Sequence, residues 1–286
     1  MSERGTTLLR RIGRVAGWAA VLVASGVLLI PARGADDEAE TARQKRWEKF
    51  YAEQARGQEF FADAERTQKL NLEPMPVYTF AGTEGGGGST FVWTRDGRPE
   101  IVGAIFSAFW SGGRHVLHEY HSLSPDILHP ANPNWVPKSG LPRHDLTGAE
   151  APAKTAAGRL IQLRQLAREF SAYSTDDDGQ RWEMRLLPRP LYRYDVKTGP
   201  VIDGALFGFV TTKSTDPEIF LVIEARQEPD GPRWQYALAR FSHHSLHVDR
   251  AGKEVWSALI GPDNATHDNS EHTYHVFETQ WTEPAE

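Results

Sequence analysis

Apolar and polar residues alternate along two long stretches of this chain, and each stretch follows a shorter one with helical periodicity. The first alternating stretch runs from Pro76 to Leu123. In it, Phe91-Val92-Trp93 and the run Ile101 to Phe109 flank Arg95-Asp96-Gly97-Arg98, a strong hairpin signal. A turn at Ser111-Gly112-Gly113 then leads into His115 to Leu123 and completes a β-meander. The second stretch predicts strands over Trp182 to Leu187, Leu191 to Tyr194, Ala205 to Thr212, Glu218 to Gln227 and Trp234 to Phe241. Pro229-Asp230-Gly231-Pro232 turns one hairpin, and Asp249-Arg250-Ala251-Gly252 turns another into Glu254 to Leu259. Thr273 to Trp281 is a candidate last strand.

Helical spacing covers Asp36 to about Leu70, where Trp47, Phe50, Tyr51, Phe60 and Phe61 supply an apolar stripe that Gly57 interrupts. It returns from Lys154 to Tyr173, with Ala156, Leu160, Leu163, Ala167 and Phe170 on one face. Asp176-Asp177-Asp178-Gly179 stops that second helix. Between the two halves, Ser124 to Ala153 is rich in proline and poor in apolar residues, which predicts an irregular connector.

The two alternating stretches also share letters. Pro74, Pro76, Val77, Tyr78 and Phe80 reappear as Pro188, Pro190, Leu191, Tyr192 and Tyr194. Thr90-Phe91-Val92 faces Ala205-Leu206-Phe207, Pro99-Glu100-Ile101 faces Pro217-Glu218-Ile219, and His121-Ser122-Leu123 faces His244-Ser245-Leu246. Ordered anchors of this kind predict one β-rich unit used twice. The expected fold is therefore α+β: an internally duplicated antiparallel β-meander sheet with helices packed on it, preceded by a signal peptide and an N-terminal helix. The expected segments are a leader at 1–34, a helical segment at 35–72, a first meander at 73–124 and a connector at 125–153. A helix plus second meander follows at 154–260, then a tail at 261–286.

The first residues carry an address. Arg4, Arg10, Arg11 and Arg14 precede an apolar run from Val15 to Ile30, and Ala32 and Gly34 suit a cleavage site before Ala35. The alternative is a leader that stays uncut as an anchor, which would be the chain's one route to membrane contact. Taking away 1–34 removes five Arg and one Glu, so the formal net charge moves from −6 to −10. An acidic surface opposes phosphate backbones, which excludes nucleic acid as the expected partner. The chain has no cysteine, so disulfides and thiolate sites are excluded; with the leader, this favours a bacterial envelope, periplasmic or secreted location.

The runs Arg189-Pro190-Leu191-Tyr192-Arg193-Tyr194, Asp203-Gly204-Ala205-Leu206-Phe207, Thr215-Asp216-Pro217-Glu218 and Ile223-Glu224-Ala225-Arg226 belong together as a pattern. With Trp234, Tyr236-Ala237-Leu238-Ala239-Arg240 and Glu254-Val255-Trp256, they make the chain resemble a group of exported bacterial proteins with no established activity. The resemblance covers the second half closely and Phe91 to Ser124 more loosely. It implies envelope location and a shared fold, and carries no site residue across.

Histidine is the chemical lead, because all eleven fall after residue 114. His115, His118 and His121 lie around Glu119, but on a strand His118 and His121 point to opposite faces, while Glu119 and His121 share one. The spacing is not the His-Glu-x-x-His zinc motif. If the two units pack about a pseudo-twofold axis, Glu119, His121 and His244 could approach and hold a divalent metal. Otherwise these histidines decorate strands, and no cofactor is expected. Asp176, Asp178 and Gly179 resemble part of a calcium loop, but Arg185 stands where a bidentate glutamate is needed. Gly85 to Gly88 leads into a strand rather than a helix, unlike a phosphate-binding loop. Ser122 beside His121 and Ser245 beside His244 point to opposite faces, so neither pair is a ready dyad.

The leading expectation is thus an exported non-enzymatic binding or scaffolding module, in one version a carrier of a hydrophobic ligand. The alternative is a metal-assisted exported hydrolase using Glu119, His121 and His244.

Overall fold

The structure is a computed structural model that describes residues 35–81, 87–110, 113–176, 178–212, 214–260 and 270–279. The leader at 1–34, Gly85 and Gly86, Asp177 and most of the 261–286 tail lie outside them. Residues from Thr41 onward make one compact unit. It consists mainly of antiparallel sheet, with helices α1 (Ala35–Arg56) and α2 (Ala156–Ala167).

The first sheet contains β2 (Asn71–Leu72), β3 (Tyr78–Ala81), β4 (Gly87–Arg95), β5 (Arg98–Trp110), β6 (Gly113–Ser122) and β17 (Tyr274–Thr279). Its order is β17-β6-β5-β4-β2, with β3 also pairing β4. The second contains β8 (His144–Asp145), β9 (Phe170–Thr175), β10 (Arg181–Leu186), β11 (Tyr192–Tyr194) and β12 (Val201–Thr211). It continues with β13 (Pro217–Glu228), β14 (Gly231–Arg240), β15 (Ser245–Arg250) and β16 (Lys253–Ala258). The order is β16-β15-β9-β10-β12-β13-β14-β8, with β11 on β12. Two short strands, β1 (Phe60–Phe61) and β7 (His129–Pro130), pair with each other.

Hydrogen-bond register runs in parallel through the two sheets. Leu72 lies opposite Trp93 as Leu186 lies opposite Phe209. Phe80 lies opposite Gly88, and Tyr194 opposite Gly204. A register shift falls between Trp93 and Thr94 in β4, and between Phe209 and Val210 in β12. Leu123 N donates to Glu100 O, and Phe241 N to Glu218 O. Even the short outer strands follow suit: Phe61 sits between Lys69 and His129, and Tyr173 between Glu183 and His247. A strand joins each sheet's edge from another part of the chain: β8 pairs β14, and β17 pairs β6.

Period-two alternation sorts the side chains into layers. Inward residues of both sheets share one core, with Val92, Val102 and Ala104 from the first sheet against Leu206, Phe220 and Val222 from the second. The outer face of the first sheet buries Phe91, Trp93, Ile101 and Tyr120 beneath the Tyr51 and Ala55 face of α1. The outer face of the second buries Phe207, Phe209, Leu221 and Ile223 beneath Leu163, Leu166 and Ala167 of α2. Each such side chain contributes about 1.5–3 kcal/mol through lost apolar surface. Thr155 caps α2, its Oγ1 accepting from Gly158 N at 3.1 Å.

Both helices are shorter than their sequence patterns. α1 ends at Arg56, where Gly57 N reaches back to Glu53 O and Gln54 O, and Phe60 and Phe61 enter a strand. α2 ends at Ala167, and Phe170 to Thr175 is β9. In each case aromatic residues spaced like a helical stripe satisfy the sheet's outer core instead. The Asp176 loop therefore turns the β9–β10 hairpin rather than stopping a helix, with Asp176 Oδ1 accepting from Asp178 N and Gln180 N. Asp96 and Gly97 both take positive φ between β4 and β5, the tight hairpin that Asp-Gly predicts.

Candidate functional site

The inter-sheet layer is apolar except at two clusters of charge. In the first, Glu224 of β13 is fully buried and collects cations from both halves. Arg98 of β5 grips it in bidentate fashion, Nε to Oε1 at 2.7 Å and Nη2 to Oε2 at 3.2 Å. Arg143 Nε donates to Oε2 at 3.3 Å, and the Tyr194 hydroxyl to Oε1 at 2.8 Å. Arg98 Nη1 also meets Glu100 at 3.2 Å. Burial alone would raise the Glu224 carboxyl, yet Arg143 and Arg98 outweigh it and hold the group down at about 2. Every charge here has a partner.

The second cluster has an acid surplus. Glu119 of β6 is buried among apolar side chains and accepts a hydrogen bond from the Tyr274 hydroxyl of β17. Burial pushes its carboxyl up to about 8, with nearby Glu218 adding to the rise and Arg240 opposing it. Asp216 lies well above the usual carboxylate range, chiefly through burial and then through Glu119 and Glu218. Its Oδ1 is enclosed with no hydrogen-bond partner among the described residues. Glu218, next to Ser242 and His244, is raised by burial as well. The accompanying cation is Arg240, at the end of β14 and 7% exposed. Its Nε and Nη2 donate to Ser242 O at 3.1 and 2.8 Å, and Nη2 also reaches His244 O at 3.1 Å. Its guanidinium lies 5.4 Å from the Tyr274 ring centre.

A cleft of about 460 Å³ opens over Arg240 and Tyr274. Ser257, Ala258 and Leu259 wall one side, and His272, Thr273 and Ser139 another. The hydroxyls, the arginine and the aromatic ring give it a polar lining.

Of the residues expected to act together, Glu119 and His121 do share the inward face, and both are buried. His244 is exposed in the turn after β14. Leu123 N donates to Glu100 O as Phe241 N donates to Glu218 O; His121 lies two residues before the first of these donors and His244 three residues after the second. Both nitrogens of His121 are engaged, Nδ1 with Ser122 O at 2.7 Å and Nε2 with Thr273 Oγ1 at 3.3 Å. Burial holds its imidazole down at about 4. Among the described residues, no group of three or more His, Asp or Glu side chains is placed to hold a metal ion. Ser122 Oγ is buried without a partner, and Ser245 Oγ accepts from Ile260 N at 2.9 Å, so neither meets its neighbouring histidine.

Sequence reasoning missed Arg240, Asp216, Glu218 and Tyr274. The available signal was a charge at an inward position of an otherwise apolar strand, as with Glu119 and Glu224. Comparison with protein-family models, characterised proteins and solved structures finds no match to this chain.

Proposed function

We propose that the protein is an exported, non-enzymatic binding module, made from one helix-and-meander unit used twice and acting in the bacterial envelope or outside the cell. The reading rests on the cleft over Arg240 and Tyr274, a recess of ligand size lined by hydroxyl, guanidinium and aromatic groups. The duplication is supported by the matching register, including the paired shifts at Trp93/Thr94 and Phe209/Val210. Export is supported by the leader's basic and apolar pattern. The spaces between sheets and helices are filled by side chains such as Trp93, Phe207 and Phe220, each no more than 1% exposed, so the ligand this reading favours is polar rather than hydrophobic.

Native mass spectrometry of protein recovered from an envelope fraction tests this. The expected result is a mature chain beginning at Ala35 that retains a small molecule, or captures one from an envelope extract, and releases it unchanged. Conversion of an extract component into a new product would refute the non-enzymatic reading. Failure to retain or capture any small molecule would refute binding.

A further inference from the structure

A buried guanidinium needs a counter-charge, and Arg240 lacks one. No carboxylate among the described residues forms an ion pair with it, whereas Arg98, Arg143 and Arg226 all pair with Glu224. Its hydrogen bonds go to the two carbonyls of its own turn through Nε and Nη2. Nη1 meets no acceptor among the described residues, and Arg240 lines the cleft. Burial lowers the Arg240 pKa, with Tyr274 and Glu119 opposing the fall. The nearest acid, Glu119, is turned to the Tyr274 hydroxyl and holds its proton up to about 8. Arg240 is therefore the cation that lines the cleft, without an ion-pair partner among the described residues. An anion would restore the balance that Glu224 supplies on the other side of the layer.

We infer that the cleft takes a small oxyanion, a carboxylate- or phosphate-bearing polar molecule, seated on Nη1 of Arg240 beneath the hydroxyls of Ser257 and Ser139. Resting on the binding-module reading, this adds the chemical class of the ligand. Guanidinium offers a planar fork of donors matched to carboxylate and phosphate oxygens. Their two hydroxyls suit further oxygens on the same molecule. The cleft's volume accommodates a metabolite rather than a polymer chain.

Isothermal titration of the mature protein at pH 7 with inorganic phosphate, with succinate and with uncharged sorbitol tests the inference. Phosphate or succinate is expected to bind saturably, and sorbitol not to bind. Arg240→Gln should weaken anion binding at least tenfold, while Arg226→Gln, away from the cleft, should leave it unchanged. Because Arg240→Gln alters a buried group, Ser257→Trp provides a second variant, filling the cleft from an exposed rim position. It should abolish anion binding in a protein with unchanged thermal unfolding. Anion binding that persists in both variants, or no saturable binding by either anion, overturns the inference. Sorbitol binding blocked by Ser257→Trp but indifferent to Arg240→Gln would overturn the anion and leave the binding module standing.

Discussion

The two charged clusters occupy corresponding rungs of the two sheets and have opposite character. Arg98-Pro99-Glu100 enters β5 where Asp216-Pro217-Glu218 enters β13, and each proline faces the strand beside it just past a register shift. On the first side Arg98 reaches across the layer to Glu224, and three more charged or polar side chains close the set. On the second, an acid stands in place of that arginine, and Glu119 adds another acid. The first cluster is held ionised by its partners; in the second, burial outweighs the Tyr274 hydrogen bond and Arg240 and raises the Glu119 carboxyl. One change of sign at one rung separates a closed internal lock from a site with charge to offer.

The largest effect should come from the balanced side. Glu224→Gln leaves Arg98 and Arg143 buried without their carboxylate, and should cost about 3–5 kcal/mol in urea unfolding. A loss under about 1 kcal/mol would mean that solvent reaches the cluster, and that the contrast between the two sides is weaker than the burial indicates.

Next comes the pH response of the other side. Glu119 keeps its proton in the folded state up to about 8, against 4.5 for an ordinary glutamate. The folded state binds the extra proton, so its contribution is complete below pH 4.5 and falls as pH rises towards 8. His118 and His121, both held down at about 4 by burial, act in the opposite sense between pH 4 and 6.5 and are level above that. The interval from pH 6.5 to 8 thus isolates the acids, and Glu119 should account for about 2 kcal/mol of lost stability there. Glu119→Gln should flatten that decline. An unchanged slope would show that Glu119 is ionised in the fold.

The smallest effect probes the rungs themselves. A Cβ at Gly88 would lie 2.4 Å from Phe106 Cβ, and one at Gly204 would lie 2.4 Å from Tyr194 Cζ. Gly88→Ala and Gly204→Ala should each cost about 1–2 kcal/mol through overpacking. A neutral outcome at either would show that the two positions are not equivalent in packing.

Much of the architecture was legible because strands and turns are local. Asp96-Gly97 and Asp230-Gly231 mark hairpins through backbone chemistry alone, and the alternation around Phe91, Ile101 and Leu206 set the faces. Thr273 to Trp281 was readable as a strand, but its place beside β6 was not, since nothing local records a partner that distant in sequence. The helix ends were misread because Phe60, Phe61 and Phe170 satisfy a helical stripe as well as a sheet face. The site was mostly illegible. Glu119 stood out beside its histidines, yet its environment depends on Tyr274 and on acids that lie far along the chain. His121 and His244 match as letters and not as rungs, and only pairing geometry separates the two.

The crossing of β8 and β17 between sheets has a consequence for how the chain is made. The first sheet lacks its outer strand until residues 274–279 arrive, so its β6 edge stays open through most of synthesis. Proteolytic trimming after Ile260 would then be felt not where the cut falls but at β6, in the first half of the chain, as an unzipped margin free to recruit a neighbour's backbone.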